Sequence, residues 1–216
     1  MIKTILISGK AGHGKDTIAE IIEKELVEKY KQRVLNIRFA DMLKFNLTKY
    51  HGWNGIKDKK GRDLLQKHGV ITYENNEGVW GKIVVEIIKA YESLYDYVII
   101  PDLRFKAELQ AIRIFYKIKE HMLFIENKEE LSFNEVNEIT LSNLVWCKIH
   151  GYILNKDRIP KPYINKNLTK KQREHLSEID LDDELFRTSF HWHNIFDYES
   201  NTKFELDCFF KQCLHL

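Results

Sequence analysis

The sequence predicts an α/β protein built on a central parallel sheet flanked by helices, and three observations carry that expectation. Short apolar runs, TILIS (4–8), VLNIRFA (34–40) and YVIIPD (97–102), alternate with stretches whose apolar residues recur at helical spacing. The third run is almost wholly apolar, as a strand buried on both faces is. The first leads into GKAGHGK (9–15), a glycine-rich turn of the kind that joins a strand to a helix.

Taken in order, residues 4–8 form a buried strand feeding a tight loop. Beyond Lys15, the residues Ile18, Ile21, Ile22 and Leu26 share one helical face. Residues 34–40 give the second strand, and Asp41 can cap a helix reaching Lys49. A polar stretch at 52–61 precedes two helical candidates, 62–68 and 80–94. The strand 97–102 then ends on a carboxylate, and a helix to about residue 118 and a strand HMLFIE (121–126) follow.

From 127 to 150 the apolar spacing is helix-like without an evident partner. Residues 156–175 carry Lys156, Arg158, Lys161, Lys166, Lys170, Lys171 and Arg173 against few acids, a basic excursion rather than core. RTSFHWHNIF (187–196) reads as a last strand and 203–214 as a closing helix. There is no internal repeat or low-complexity tract.

At 216 residues the chain suffices for one globular domain with a real core. A composition 44% hydrophobic and 31% charged excludes a disordered chain. The apolar run near the amino terminus is too short for a signal sequence or a membrane span, so the expected location is the cytoplasm, a host's if the protein is viral. The three cysteines, Cys147, Cys208 and Cys213, lack the spacing and number of a disulfide framework or a zinc site. A formal net charge of +2 gives the whole molecule no reason to seek nucleic acid.

Gly9, Gly12 and Gly14 allow successive backbone N–H groups to point inward as a nest for phosphate oxygens, and the helix that follows adds its positive dipole end. Lys15 can then reach the outer phosphates. An ordinary glycine-rich turn would leave Lys15 unexplained. The candidate nucleotide cradle is therefore Ala11, Gly12, His13, Gly14, Lys15, Asp16 and Thr17. Asp16 departs from the usual pattern, which places a magnesium-binding hydroxyl there; a carboxylate repels a triphosphate unless a metal or water stands between them. Thr17 comes one residue later, about 100° around the helix, and cannot simply replace that hydroxyl.

GKDT (14–17) resembles the phosphate loop of the deoxynucleoside monophosphate kinases of phages and bacteria, in which that acid is the usual residue. Four further stretches are similar to the same family in the same order: RFADMLK (38–44), GRDLLQKHG (61–69), VIIPDLRFKAE (98–108), and HLSEIDLDD (175–183) followed by HNI (193–195). Lys106 and Ala107 replace the family's usual Pro-Asn, an arginine is missing near 71–75, and 127–155 looks like additional sequence. The resemblance implies a three-layer P-loop kinase fold over 1–216. Its subregions would be a monophosphate-binding helical region at 41–95, an insertion at 127–155 and a basic lid at 156–180.

ATP and Mg2+ are the cofactors so implied, and the reaction is transfer of the γ-phosphoryl of ATP to a deoxynucleoside monophosphate (dNMP). The partners are these small-molecule nucleotides, with a homodimer left open and neither nucleic acid nor membrane expected. Lys15, Arg104 and Lys10 are the candidate catalytic residues. Lys10, Phe39, Ala40, Lys44, Arg62, Gln66, Trp80, Asp102, Arg104 and Glu108 are assigned to the acceptor, and Arg158 and Arg173 to the lid. Asp16, Thr17 and Asp102 are assigned to the metal.

Read by their own chemistry, Asp102 ends an apolar strand as a magnesium-holding acid does, and Arg104 follows at the strand's carboxyl end. Arg62 and Gln66 share a helix face suited to a phosphate and a base edge, or equally to solvent. His191 and His193 lie on one strand face without an evident third metal ligand. FIENKEE (124–130) comes near a guanine-reading motif, but Glu130 stands where that motif needs aspartate. A phosphomevalonate kinase, which shares the GKD loop, and a regulatory nucleotide-binding protein are the remaining alternatives.

Overall fold

The computed structural model describes residues 1–76, 78–126, 143–154, 160–183, 188–192 and 201–216. In chain order these form β1 (Lys3–Ser8), α1 (Lys15–Glu28), β2 (Val34–Asn36), α2 (Asp41–Tyr50), α3 (Lys59–Asn75), α4 (Val79–Tyr91), β3 (Tyr97–Leu103) and α5 (Lys106–Glu126). There follow β4 (Leu144–Leu154), β5 (Pro160–Pro162), α6 (Lys170–Arg173), α7 (Leu176–Ile179), β6 (Thr188–Trp192), α8 (Asn201–Phe209) and a π-helical turn, Phe210–Leu214. Five parallel strands run in the order β2-β3-β1-β4-β6, and β5 pairs antiparallel with the end of β4.

Successive strand residues point to opposite faces, so this sheet fills two cores at once. Leu6, Val98, Ile100 and Leu144 pack with Leu43, Leu47, Val84, Ile88 and Ile112 of the helices on one side. Ile5, Ile7, Ile99, Val145 and Cys147 pack with Ile18, Ile22 and Leu26 of α1 and with Phe209 and Phe210 on the other. The chain is therefore a three-layer α/β fold with a central parallel sheet. The neighbouring strands β1 and β3 send their following helices, α1 and α5, to opposite faces. A crevice opens between the carboxyl ends of such a pair, the place where open parallel sheets bind ligands.

Several expectations are corrected. Residues 121–126 continue α5 instead of forming a strand, because no glycine or proline interrupts the chain from Lys106 to Glu126, and an apolar run that short reads equally as helix or strand. Part of the stretch 127–155, expected to lack an evident partner, is a core strand. Its residues 144–154 are β4, which lies beside β1, with Val145, Cys147 and Ile149 alternating into the core. Residues 127–142 and 155 lie outside the described residues.

The second strand ends at Asn36, and residues 37–40 turn across the end of β3. Of the last predicted strand, 188–192 form β6, while 187 and 193–196 lie outside the described residues. The region 41–95 contains α2, α3 and α4 as expected of three helical candidates. Among the described residues no helix is long and apolar enough to cross a membrane.

Candidate active site

The loop after β1 closes on Gly14, whose φ of 83° lies in the left-handed region that glycine alone enters without strain. It starts α1 with no side-chain cap. The first-turn amides therefore have no side-chain acceptor, which is the condition for anion binding at a helix start. The Lys15 side chain folds back along the loop, and its Nζ donates to the Gly9 carbonyl at 2.6 Å and the Lys10 carbonyl at 3.0 Å. Burial, then the charge of Arg104, pushes its ammonium down to about 7, although Glu178, Asp16 and Asp102 oppose the shift.

Lys15 opens onto a cleft of about 370 Å³. Ala11, Gly12 and Asp16 form its loop side; Arg38, Lys44, Lys57, Arg62 and Arg104 supply cations; Leu65, Trp80, Phe105 and Leu168 form an apolar wall. Asp102 accepts N–H bonds from Phe39 at 2.9 Å and Ala40 at 3.1 Å, one on each carboxylate oxygen. Burial pushes its carboxyl up, against the pull of those two amides and of Arg104 and Lys44.

The turn that carries Arg104 is locked from below. One oxygen of Glu108 accepts both the Arg104 and the Phe105 N–H, each at 3.0 Å. Burial, then the neighbouring Asp102 charge, pushes the Glu108 carboxyl up to about 8, against the pull of the two amides and of Arg104. The Arg104 guanidinium pairs with Glu178 on α7, and the second oxygen of Glu178 accepts the Ala11 N–H of the phosphate loop at 2.8 Å. Burial alone would raise the Glu178 carboxyl, but Arg104, the Ala11 N–H and Lys15 together hold it below its ordinary value.

Glu178 lines the cleft, as do Arg38 and Lys57, and the sequence reading assigned none of the three to the site. The Glu178 stretch, HLSE, was legible as a motif, but no spacing relates position 178 to position 11 or 104. Replacing Glu178 with glutamine should keep the Ala11 bond through the amide oxygen and turn an NH2 toward the guanidinium. Losing the carboxylate leaves the Arg104 guanidinium without its counter-charge and facing an NH2, so kcat should fall about tenfold to a hundredfold and the unfolding temperature should drop. Steady-state kinetics alongside thermal unfolding would check this.

Among the residues predicted for the site, the structure brings Ala11, Gly12, Lys15, Asp16, Ala40, Lys44, Arg62, Gln66, Trp80, Asp102, Arg104 and Glu108 to the cleft. The Trp80 indole N–H is buried there without a partner among the described residues. Gln66 also donates to the Gln172 carbonyl at 3.3 Å, tying α3 to α6.

Others sit elsewhere. Lys10 pairs with Asp182 at 3.1 Å, drawn off by an acid that the sequence order hides. The His13 ring lies between the Ile149 and Tyr163 carbonyls at 3.2 Å each, so it pins β4 and the 163 segment rather than facing a ligand. Phe39 contributes its amide to Asp102 while its ring joins the core. Thr17 is exposed on α1 and does not line the cleft.

Asp16 does reach the cleft but pairs with Arg38 at 3.0 Å. In the segment expected to form a lid, Arg173 donates to the Asn165 and Leu168 carbonyls of its own segment and does not line the cleft. Arg158 and His193 lie outside the described residues, and nothing is described of the His191 side chain. Among the described residues no group of three His, Cys, Asp or Glu could hold a metal ion. Magnesium that keeps its waters and rests on substrate phosphates needs only one or two carboxylates, and Asp16 and Asp102 both face the cleft.

No protein-family model matches the chain, and no curated protein matches it. Among solved structures, a mutant of the APS kinase CysC of Mycobacterium tuberculosis is similar over 100% of this chain and 98% of that one, with 9% identity and a TM-score of 0.41. At that distance the functional reading rests on the cleft itself: a glycine-rich loop with its lysine, an acid and an arginine at the end of the neighbouring strand, and a group of cations beside an apolar wall.

Proposed function

We propose that the protein is a magnesium-dependent kinase that transfers the γ-phosphoryl of ATP to a deoxynucleoside 5′-monophosphate. The observation that carries this reading is that Lys15 of the phosphate loop and Arg104 at the end of β3 line one cleft, with Arg38, Lys44 and Arg62 around them. Phosphoryl transfer needs two phosphates held in line, water kept out and positive charge over the moving oxygens. The loop amides and Lys15 suit the donor's phosphates, and Arg104 suits the transferring group.

The apolar wall suits a nucleobase. Trp80 lines that wall, and Gln66 offers a polar edge beside it. Asp16 and Asp102 would hold magnesium through its waters, and the ion would neutralise charge on the donor phosphates. Asp16 would have to release Arg38 or share it with the ion. Arg38 so placed is a counterion that makes an acid tolerable in a phosphate loop.

Coupled ADP release should be measured with ATP and magnesium against dAMP, dCMP, dGMP, dTMP, the ribonucleotides and phosphomevalonate, each offered separately. Turnover with one or more deoxynucleotides is expected. Turnover with phosphomevalonate alone would replace the acceptor, and silence with every acceptor would leave a nucleotide-binding protein without transfer.

A further inference from the structure

The turn that follows β2 is pinned by carboxylates. Asp102 accepts the Phe39 and Ala40 N–H groups, and Asp41 accepts the Arg38 N–H at 3.0 Å while pairing with Lys44 at 2.9 Å. The turn so held sends the Arg38 side chain to Asp16, whose carboxylate bonds to no other side chain among the described residues. Both residues line the cleft. The Arg38 side chain is 32% exposed and that of Asp16 68%, and a pair so open to solvent adds little to stability. Holding the fold together does not explain it.

The charges acting on Arg38 point to another role. Burial works against its guanidinium, but Asp16, then Asp41 and Asp102, raise it above its ordinary value. Arg38 therefore lies in the field of Asp16 and Asp102, the two cleft acids suited to magnesium, where a cation is favoured. A guanidinium stays charged at any working pH, so it leaves such a place by moving and never by losing a proton. Magnesium that rests on one or two carboxylates needs water and substrate phosphates for its remaining ligands. An ion that comes without phosphate must take Asp16 from Arg38 unaided.

We propose that Arg38 is the phosphate loop's resident counter-cation: it neutralises Asp16 while no metal is present, keeps out a divalent ion that comes alone, and yields the carboxylate to one that arrives with a polyphosphate. This role deepens the magnesium part of the kinase reading and rests on it, but it depends neither on the acceptor nor on transfer. No spacing relates position 16 to position 38, so only the fold brings the acid of the loop to this arginine.

The test is direct binding to the full chain with no acceptor present. Mn2+ alone would be followed by its electron paramagnetic resonance, and ADP by calorimetry, first with EDTA and then with saturating Mg2+. Arg38→Gln should bind Mn2+ about threefold to tenfold more tightly than wild type, because Asp16 is then free to take it. The same variant should bind metal-free ADP about tenfold more weakly, since Asp16 faces the phosphates unanswered, and saturating Mg2+ should bring it to within about twofold of wild type. Adding Asp16→Asn should restore metal-free ADP binding, and Asp16→Asn by itself should bind metal-free ADP more tightly than wild type. Metal-free ADP bound alike by wild type and Arg38→Gln, or a loss that Asp16→Asn does not lift, would overturn the role of Arg38. So would Mn2+ bound alike by both, or Asp16→Asn binding metal-free ADP no better than wild type. The coupled assay for ADP release judges the kinase reading separately: the expected binding pattern in a protein that transfers nothing sinks that reading and leaves Arg38 its role, and turnover without the pattern does the reverse.

Discussion

Lys15→Ala is expected to lower kcat by on the order of a hundredfold to a thousandfold, the loss seen when one preorganised group facing developing charge is removed. The ammonium now lies against two loop carbonyls, 2.6 and 3.0 Å away, so it is stored within reach of the cleft rather than spent on an acid. A triphosphate would draw on a charge that burial has already stripped of water, and such charges act strongly. The fold should survive, since Ile18, Ile22 and Leu26 still anchor α1 to the sheet. Circular dichroism alongside the kinetics would separate the two effects, and turnover close to wild type would remove Lys15 from the chemistry.

The same residue predicts a pH dependence with a definite sign. With its ammonium depressed to about 7, the empty protein holds Lys15 protonated below that pH and increasingly neutral above it. Donor phosphates favour the charged form, so donor binding should take up a proton and weaken as pH rises through and beyond about 7. Lys15→Ala should flatten that profile. Stability runs the other way: between about 7 and the ordinary value of 10.5 the unfolded chain binds the extra proton, so Lys15 makes the fold more stable as pH rises across that window.

Arg104→Ala should lower kcat by on the order of a hundredfold to a thousandfold while changing ATP affinity little, because Arg104 lies at the end of β3 and not in the loop. Equal losses in transfer and ATP binding would assign it to the donor instead. The variant also strands the buried Glu178 carboxylate, so the unfolding temperature should drop. Adding Glu178→Gln removes that stranded charge. The double variant should recover stability but not turnover, which distinguishes the arginine's chemical role from its structural one.

How far the site was legible follows from the range of each interaction. Asp102 and Arg104 sit at the end of β3, and Gly14 and Lys15 where the loop after β1 enters α1; both places announce themselves through apolar runs that stop at glycine or charge. Arg62 and Gln66 share a helix face by spacing alone, and both do line the cleft. Lys10, His13 and Arg173 obeyed local rules equally well, yet Asp182, two distant carbonyls and the residues of its own turn claimed them. β4 was misjudged because residues 127–142 before it carry no strand signal, although the alternation of Val145, Cys147 and Ile149 was there to be read.

Local pattern therefore determined the α/β class, the strand-loop-helix start with Lys15, and the strand that ends at Asp102, since each depends on residues within a few positions of one another. Tertiary structure alone decided that β4 lies beside β1, that Glu178 joins Ala11 to Arg104, and that Lys57 stands among cations over the cleft. Those placements arise from long-range packing around a sheet buried on both faces. Burial strips water from each charge, and the partner that compensates it is whichever group the fold brings near, however distant in the chain.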